Sequence, residues 1–202
     1  PVGEVKGFAV VCHPHPLQGG TPQHKVPALL AQILSEQGCV VYRPSFRGSG
    51  QSDGIHDEGF AETEDILEVI RHVRQLHKSL PFYVGGFSFG AHVMAKAYHA
   101  LPDEIKPQQV ILCGLPTSTV DGLRHYVTPA IKGDILFVHG EADPTTKLSD
   151  LLEWARPQRH PGQPRERSGH EPLPERARDR DRSAPDPGRP LSYDRPGRVA
   201  TA

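Results

Sequence analysis

Pro81-Phe82-Tyr83-Val84-Gly85-Gly86-Phe87-Ser88-Phe89-Gly90 runs directly into Ala91-His92-Val93-Met94-Ala95-Lys96-Ala97. The first half is an apolar, β-prone run and the second half is rich in helix formers, so a strand is expected to pass into Gly-x-Ser-x-Gly and then into a helix. Such a turn is sharp and holds its serine in a strained conformation. Side chains two residues to either side would collide there, and Gly86 and Gly90 remove them. The Ser88 hydroxyl should then project above the sheet at the start of a helix, whose partial positive charge favours an oxyanion. A bare Gly-x-Ser-x-Gly says little; the strand before it and the helix after it give it meaning.

The same alternation continues on both sides. Gly7–Cys12 is a short continuous apolar run, as in a buried parallel strand. A loop follows from His13 to Gly20, and Thr21–Gln37 reads as a helix with Val26, Leu29, Leu30, Ile33 and Leu34 on one face. Cys39–Tyr42 is the next strand, and Arg43–Gly54 is a Gly/Ser-rich loop. Glu62–His77 reads as a long helix burying Ile66, Leu67, Ile70, Val73 and Leu76. Val110–Cys113 and Ile135–Val138 are two further strands, and Lys147–Arg156 a last helix. Strands alternating with helices predict an α/β fold: a mostly parallel sheet with helices on both faces.

With 202 residues and a net charge of −1, the chain suits one domain and shows no electrostatic sign of a nucleic-acid partner or a membrane surface. No apolar run is long enough to span a bilayer. Cys12, Cys39 and Cys113 are too few for a disulfide framework and sit in or beside strand-like runs, as buried thiols in a reducing, cytoplasmic setting. The sequence begins at Pro1 rather than Met, which leaves room for a missing N-terminal piece, a leader included. The other end changes character after Gln158. Residues 159–202 hold 10 Arg, 8 Pro and no Lys, whereas residues 1–158 hold 6 Arg and 7 Lys. Such a segment buries too little apolar surface to offset its ordering entropy. It reads either as a disordered Arg/Pro-rich tail or as a GC-rich gene translated out of frame.

Four motifs taken together resemble a known family: His13-Pro14-His15-Pro16 with Gly19-Gly20, Phe46-Arg47-Gly48-x-Gly50-x-Ser52-x-Gly54, Gly86-x-Ser88-x-Gly90, and His139-Gly140-x-x-Asp143. Residues 5–158 are similar to the small, lidless bacterial α/β-hydrolases of the serine-esterase and dienelactone-hydrolase-like branch. The resemblance implies the α/β-hydrolase fold, a small-molecule acyl substrate and no cofactor. It also implies that the family's N-terminal hairpin strands are absent. In that family the acid is followed by a strand and a Gly-x-x-His segment, and this sequence departs from the pattern there.

The family's chain order of Ser, acid, His assigns the remaining roles. Ser88 is the nucleophile. Asp143 follows a strand on a loop shaped by Gly140 and Pro144, and is the expected orienting carboxylate, with Glu141 as runner-up. His139 ends its strand and is expected to be a packed, hydrogen-bonded residue. Only His160 and His170 follow the acid. His170 stands 27 residues after Asp143, the right spacing for the general base, but Gln163–Arg167 before it cannot form a central strand. The oxyanion hole needs two backbone N–H groups. Phe89 supplies one, and the loop after the first strand the other; Pro14 and Pro16 have no N–H, which leaves His15 or Leu17. The His13-x-His15 pair lacks the acid or thiol company of a metal site, so no metal is expected. Arg47 and Asp53 are expected to pair and hold the Gly-rich loop. The function these readings imply is hydrolysis of a carboxylic ester or related acyl bond. The alternative is a catalytically dead hydrolase fold that binds a ligand or partner, and the base decides between them. Oligomeric state, acyl length, and ester versus thioester or amide are not legible.

Overall fold

The computed structural model describes residues 3–156 and 199–201. Its elements are β1 (Gly7–Cys12), α1 (Lys25–Glu36), β2 (Cys39–Tyr42), α2 (Phe60–Leu76), β3 (Phe82–Phe87), α3 (Phe89–Ala100), β4 (Gln109–Cys113), β5 (Thr119–Val120), β6 (Arg124–His125), β7 (Ile135–His139), α4 (Leu148–Ala155) and β8 (Val199–Thr201). Six strands form one sheet in the order β2-β1-β3-β4-β7-β8, and every pairing in it is parallel. No helix among the described residues is long and apolar enough to cross a membrane.

Each strand sends alternate side chains to opposite faces, which splits the core in two. Phe8, Val10 and Cys12 of β1 join α2, α3 and α4 in the larger cluster, around Ile66, Ile70, Met94 and Leu151. Ala9 and Val11 join the smaller one, which α1 covers with Leu34, Leu30 and Val26. The apolar stripe expected on α1 is therefore only half used. Leu29 and Ile33 are exposed, while Pro27, Ala31 and Leu34 are buried. The hydrophobic period marks a broad stripe, but one helix on a flat sheet buries only its near edge. Helix α1 also starts later than expected, at Lys25, where the His24 side chain accepts a 3.4 Å hydrogen bond from Val26 N. On α2 the buried stripe ends at Val73, and Leu76 is exposed.

Two features are absent from the sequence reading. The β5–β6 hairpin pairs Thr119 with His125 and Val120 with Arg124. Its turn places Asp121 (φ 54°) and Gly122 (φ 66°) in the left-handed region, the Asp-Gly signal of a hairpin. At the far edge, Val199–Thr201 pairs with Phe137–His139. Of the stretch expected to be a disordered or out-of-frame tail, only these three residues are described.

The three cysteines are buried and free. Burial pushes the Cys12 thiol far up and the Cys113 thiol up to about 11, so both stay protonated near neutral pH.

Candidate active site

Strand β3 ends at Phe87 and α3 begins at Phe89, so Ser88 alone makes the turn. Its backbone is at φ 54°, ψ −121°, a conformation that L-residues rarely adopt. Tertiary packing holds it there. Ser88 N donates to Cys113 O at 2.9 Å, tying the turn to the end of β4. Ser88 O accepts from Ala91 N and His92 N at 2.8 and 3.1 Å, opening the helix. Gly86 and Gly90 are required, but not because side chains there would meet the serine. A Cβ on Gly86 would overlap the carbonyl oxygen of Gly90, and one on Gly90 would lie 2.6 Å from Cys12 O and overlap His13 O. The helix start thus rests directly on the end of β1. Gly90→Ala is expected to destabilise the fold by about 3 kcal/mol, the upper range for overpacking, because the obstacle is main chain and not a movable side chain. Chemical denaturation measures this; an unchanged midpoint would show that α3 can lift off β1 freely.

That contact sets the loop after β1 beside Phe89. Gln18 N and Gly20 N both donate to His15 O at 3.0 Å, folding His13–Gly20 into a tight turn. His15 is buried with its ring 4.9 Å from that of Phe89. Leu17 is the middle residue of a single 3₁₀ turn, Pro16–Gln18, and is exposed. The N–H groups of Phe89, His15 and Leu17 have no acceptor among the described residues, as an oxyanion site demands. Burial, with His56 and Arg124 nearby, pushes the His15 imidazole down to about 4, so its ring is neutral at pH 7. His13 uses both ring nitrogens: Nδ1 donates to Pro14 O at 2.8 Å, and Nε2 accepts from Phe46 N at 3.0 Å. No lone pair is left for a metal, and His13 serves instead to pin the loop after β2 to the loop after β1.

Asp143 lies on the loop after β7. Its Oδ1 accepts three hydrogen bonds, from Thr145 N at 2.8 Å, Thr145 Oγ1 at 2.7 Å and Thr146 N at 3.0 Å. Partial burial pushes the carboxyl up, but the Thr145 hydroxyl and the two N–H groups outweigh it and hold it below its ordinary range. Oδ2 carries no such load among the described residues. It faces Gly114, where a Cβ would stand 3.7 Å from Oδ2 and 3.1 Å from the Phe87 ring. Gly114 follows directly on Cys113, the acceptor of Ser88 N, and its own N–H donates to Val138 O at 2.8 Å. The ends of β3, β4 and β7 therefore bring Ser88 and Asp143 to one rim of the sheet, with Oδ2 beside the bare Cα of Gly114. Glu141 is exposed and makes no comparable contacts. His139 is buried, with Nε2 donating to Thr146 O at 2.8 Å, as expected of a packed histidine. His160 and His170 lie outside the described residues.

Arg47 does not pair with Asp53. Its Nε and Nη2 both reach the Asp65 carboxylate at 2.7 Å, while Asp53 contributes only its carbonyl, to Gly48 N at 3.0 Å. A helix returning over the loop offered Arg47 a bidentate partner from a later segment, which inspection of the loop alone misses.

Comparison with known proteins agrees with this geometry. Residues 17–119 match the family described as serine aminopeptidase, S33. An α/β serine hydrolase homologue from Coxiella burnetii is 33% identical over 80% of this chain and 74% of its own, with a TM-score of 0.68. A lidless α/β serine hydrolase from Xanthomonas campestris is 31% identical over 77% of this chain and 68% of its own, with a TM-score of 0.65. An uncharacterised protein of Rickettsia prowazekii is 34% identical over 97 residues, and the chain spans about two fifths of that relative's length. The chain belongs to the serine aminopeptidase S33 family of α/β serine hydrolases.

Proposed function

We propose that the protein hydrolyses a carboxylic ester or related acyl bond through an acyl-enzyme formed on Ser88. The observation that carries this reading is the pairing of a strained Ser88 with an Asp143 whose Oδ1 is saturated and whose Oδ2 is free, on one rim of the sheet. In the proposed cycle Ser88 Oγ attacks the carbonyl carbon and its proton passes to a histidine held by Asp143 Oδ2. The Phe89 N–H and that of His15 or Leu17 hold the oxyanion. The bond to the leaving alcohol breaks as the histidine returns the proton to it, and water then repeats the sequence on the acyl group. Leu17, Ile55, Leu123 and Val127 are exposed on the surrounding loops, each within two residues of a member of the group His15, His56, Arg124 and Tyr126. These favour an apolar acyl group over a charged one.

The general base is the weak member. His170 has the family-like spacing, but it and His160 both precede β8 in sequence, within an Arg- and Pro-rich stretch. Slow labelling of Ser88 by a fluorophosphonate is therefore expected for this chain, with less than about a twofold change on His170→Ala. Efficient turnover that collapses on His170→Ala would make His170 the working base. The same weakness supports a second reading, a hydrolase fold that binds an acyl compound without turning it over. Labelling of the wild-type chain and not of Ser88→Ala favours the enzyme; labelling of neither favours the binding protein.

A further inference from the structure

Glu62 is wholly buried, yet no step of the proposed chemistry uses it. It stands in the first turn of α2 and accepts from Asp57 N at 2.8 Å and Gly59 N at 2.9 Å. Its Oε1 also lies 2.8 Å from His56 Nδ1, off the ideal hydrogen-bond direction. Capping a helix does not require such burial, since capping residues ordinarily sit in water, and sinking a carboxyl group is costly unless its partners are fixed. What the partners fix is the neighbourhood of Phe89.

The His56 ring lies 4.6 Å from His15 and 5.2 Å from Phe89, and His15 lies 4.9 Å from Phe89. The three rings form one mutually packed cluster, each pair tilted by 50–55°. His15 Nδ1 is buried without a hydrogen-bond partner among the described residues, so tilted ring packing is the visible restraint on that ring. Whatever holds His56 thereby holds His15. Gly59, the second residue that Glu62 grips, has its backbone against the same group: a Cβ there would stand 3.3 Å from His92 and 3.5 Å from Phe89. Its carbonyl is gripped in turn by Thr63 Oγ1 at 2.6 Å and Lys96 Nζ at 3.0 Å.

We infer that Glu62 is a positioning residue for the oxyanion hole, holding the His56–His15–Phe89 ring cluster so that the N–H groups of Phe89 and of the His15–Leu17 turn converge on one point. This rests on the hydrolase reading above. A donor displaced from the oxyanion loses stabilisation in the transition state while ground-state binding is largely kept. Glu62→Gln keeps the size and loses one of the two acceptor oxygens. It is expected to slow fluorophosphonate labelling of Ser88 by about 10- to 100-fold per folded molecule, and to lower kcat for short esters with KM within about twofold. In labelling, the Ser88 Oγ–phosphorus bond forms as the Oγ proton passes to a base, the phosphorus–fluorine bond breaks to release fluoride, and the phosphonyl oxygen occupies the oxyanion position.

The test compares wild type, Glu62→Gln and His56→Leu, each as the full chain and each corrected for the folded fraction by thermal unfolding. His56→Leu deletes the ring that links Glu62 to His15 but leaves the backbone hydrogen bonds of Glu62 in place. It should therefore reproduce the loss even if Glu62→Gln does not fold. A parallel fall in labelling and kcat at constant KM supports the inference. Folded His56→Leu with wild-type labelling overturns it, as does a Glu62→Gln that melts earlier but labels normally once folded. If wild type itself does not label, the hydrolase reading fails first, and the role of Glu62 fails with it.

Discussion

Ser88→Ala is expected to abolish fluorophosphonate labelling and to cut turnover of short acyl esters by about 10⁴-fold or more, in a form of the protein that carries the family's strand and Gly-x-x-His after the acid. The reason is geometric. Ser88 alone spans the gap between β3 and α3, and its positive φ is maintained by the hydrogen bond it donates to Cys113 O and those its carbonyl accepts from Ala91 N and His92 N. No neighbouring hydroxyl occupies the same turn, because Phe87 and Phe89 flank it. The residual rate should reflect the oxyanion donors alone. Kinetics on purified variant and parent measure this, and wild-type-like turnover in Ser88→Ala would place the activity elsewhere.

Asp143→Asn should cost nearly as much, about 10³- to 10⁴-fold in kcat in the same form, with KM little changed. Oδ1 is committed to Thr145 and Thr146, so the substitution can keep the loop only by leaving the new NH₂ on the Oδ2 side. That side would then donate where a histidine N–H needs an acceptor. The folded loop should survive, since one oxygen still caps Thr145 and Thr146. The pH dependence follows the same bonds. With its carboxyl held below the usual range near 3.8, Asp143 stabilises its loop fully above that value. That contribution is lost as pH falls through the lower, folded-state value. The Asn variant should lack this acid-side loss in thermal unfolding. A variant with unchanged kcat would remove Asp143 from the site and return attention to Glu141.

The parallel α/β architecture was legible because it is local. Apolar runs of four to six residues, helical stripes and Gly-x-Ser-x-Gly each carry their meaning within about fifteen residues. The turn position of Ser88, the loop position of Asp143 and the packed state of His139 were read in that way, because a strand end dictates where its loop begins. The hairpin at Thr119–His125 was equally local, and its Asp121-Gly122 turn was the signal that could have found it. Partnerships across the fold were not legible. Arg47 met Asp65 and not Asp53, Leu29 and Ile33 faced outward, and Glu62 was buried against Asp57 and Gly59. An apolar period shows which face of a helix could be buried, but not how much of it the neighbouring element covers. A glutamate three residues after a glycine reads as an ordinary cap until the rings around it are seen.

By itself, the sequence determined the strand–turn–helix at Ser88, the placing of Asp143 on a loop after a strand, and the parallel sheet, since each follows from spacing along the chain. Only the tertiary structure decided that Gly90 must be bare to let α3 rest on the end of β1, that Asp143 Oδ1 takes the hydrogen bonds of Thr145 and Thr146, and that His15, His56 and Phe89 pack together with His56 against Glu62. Those facts depend on distances between segments remote in sequence. Such distances are set by the packing of a whole sheet and its helices, which no local pattern contains.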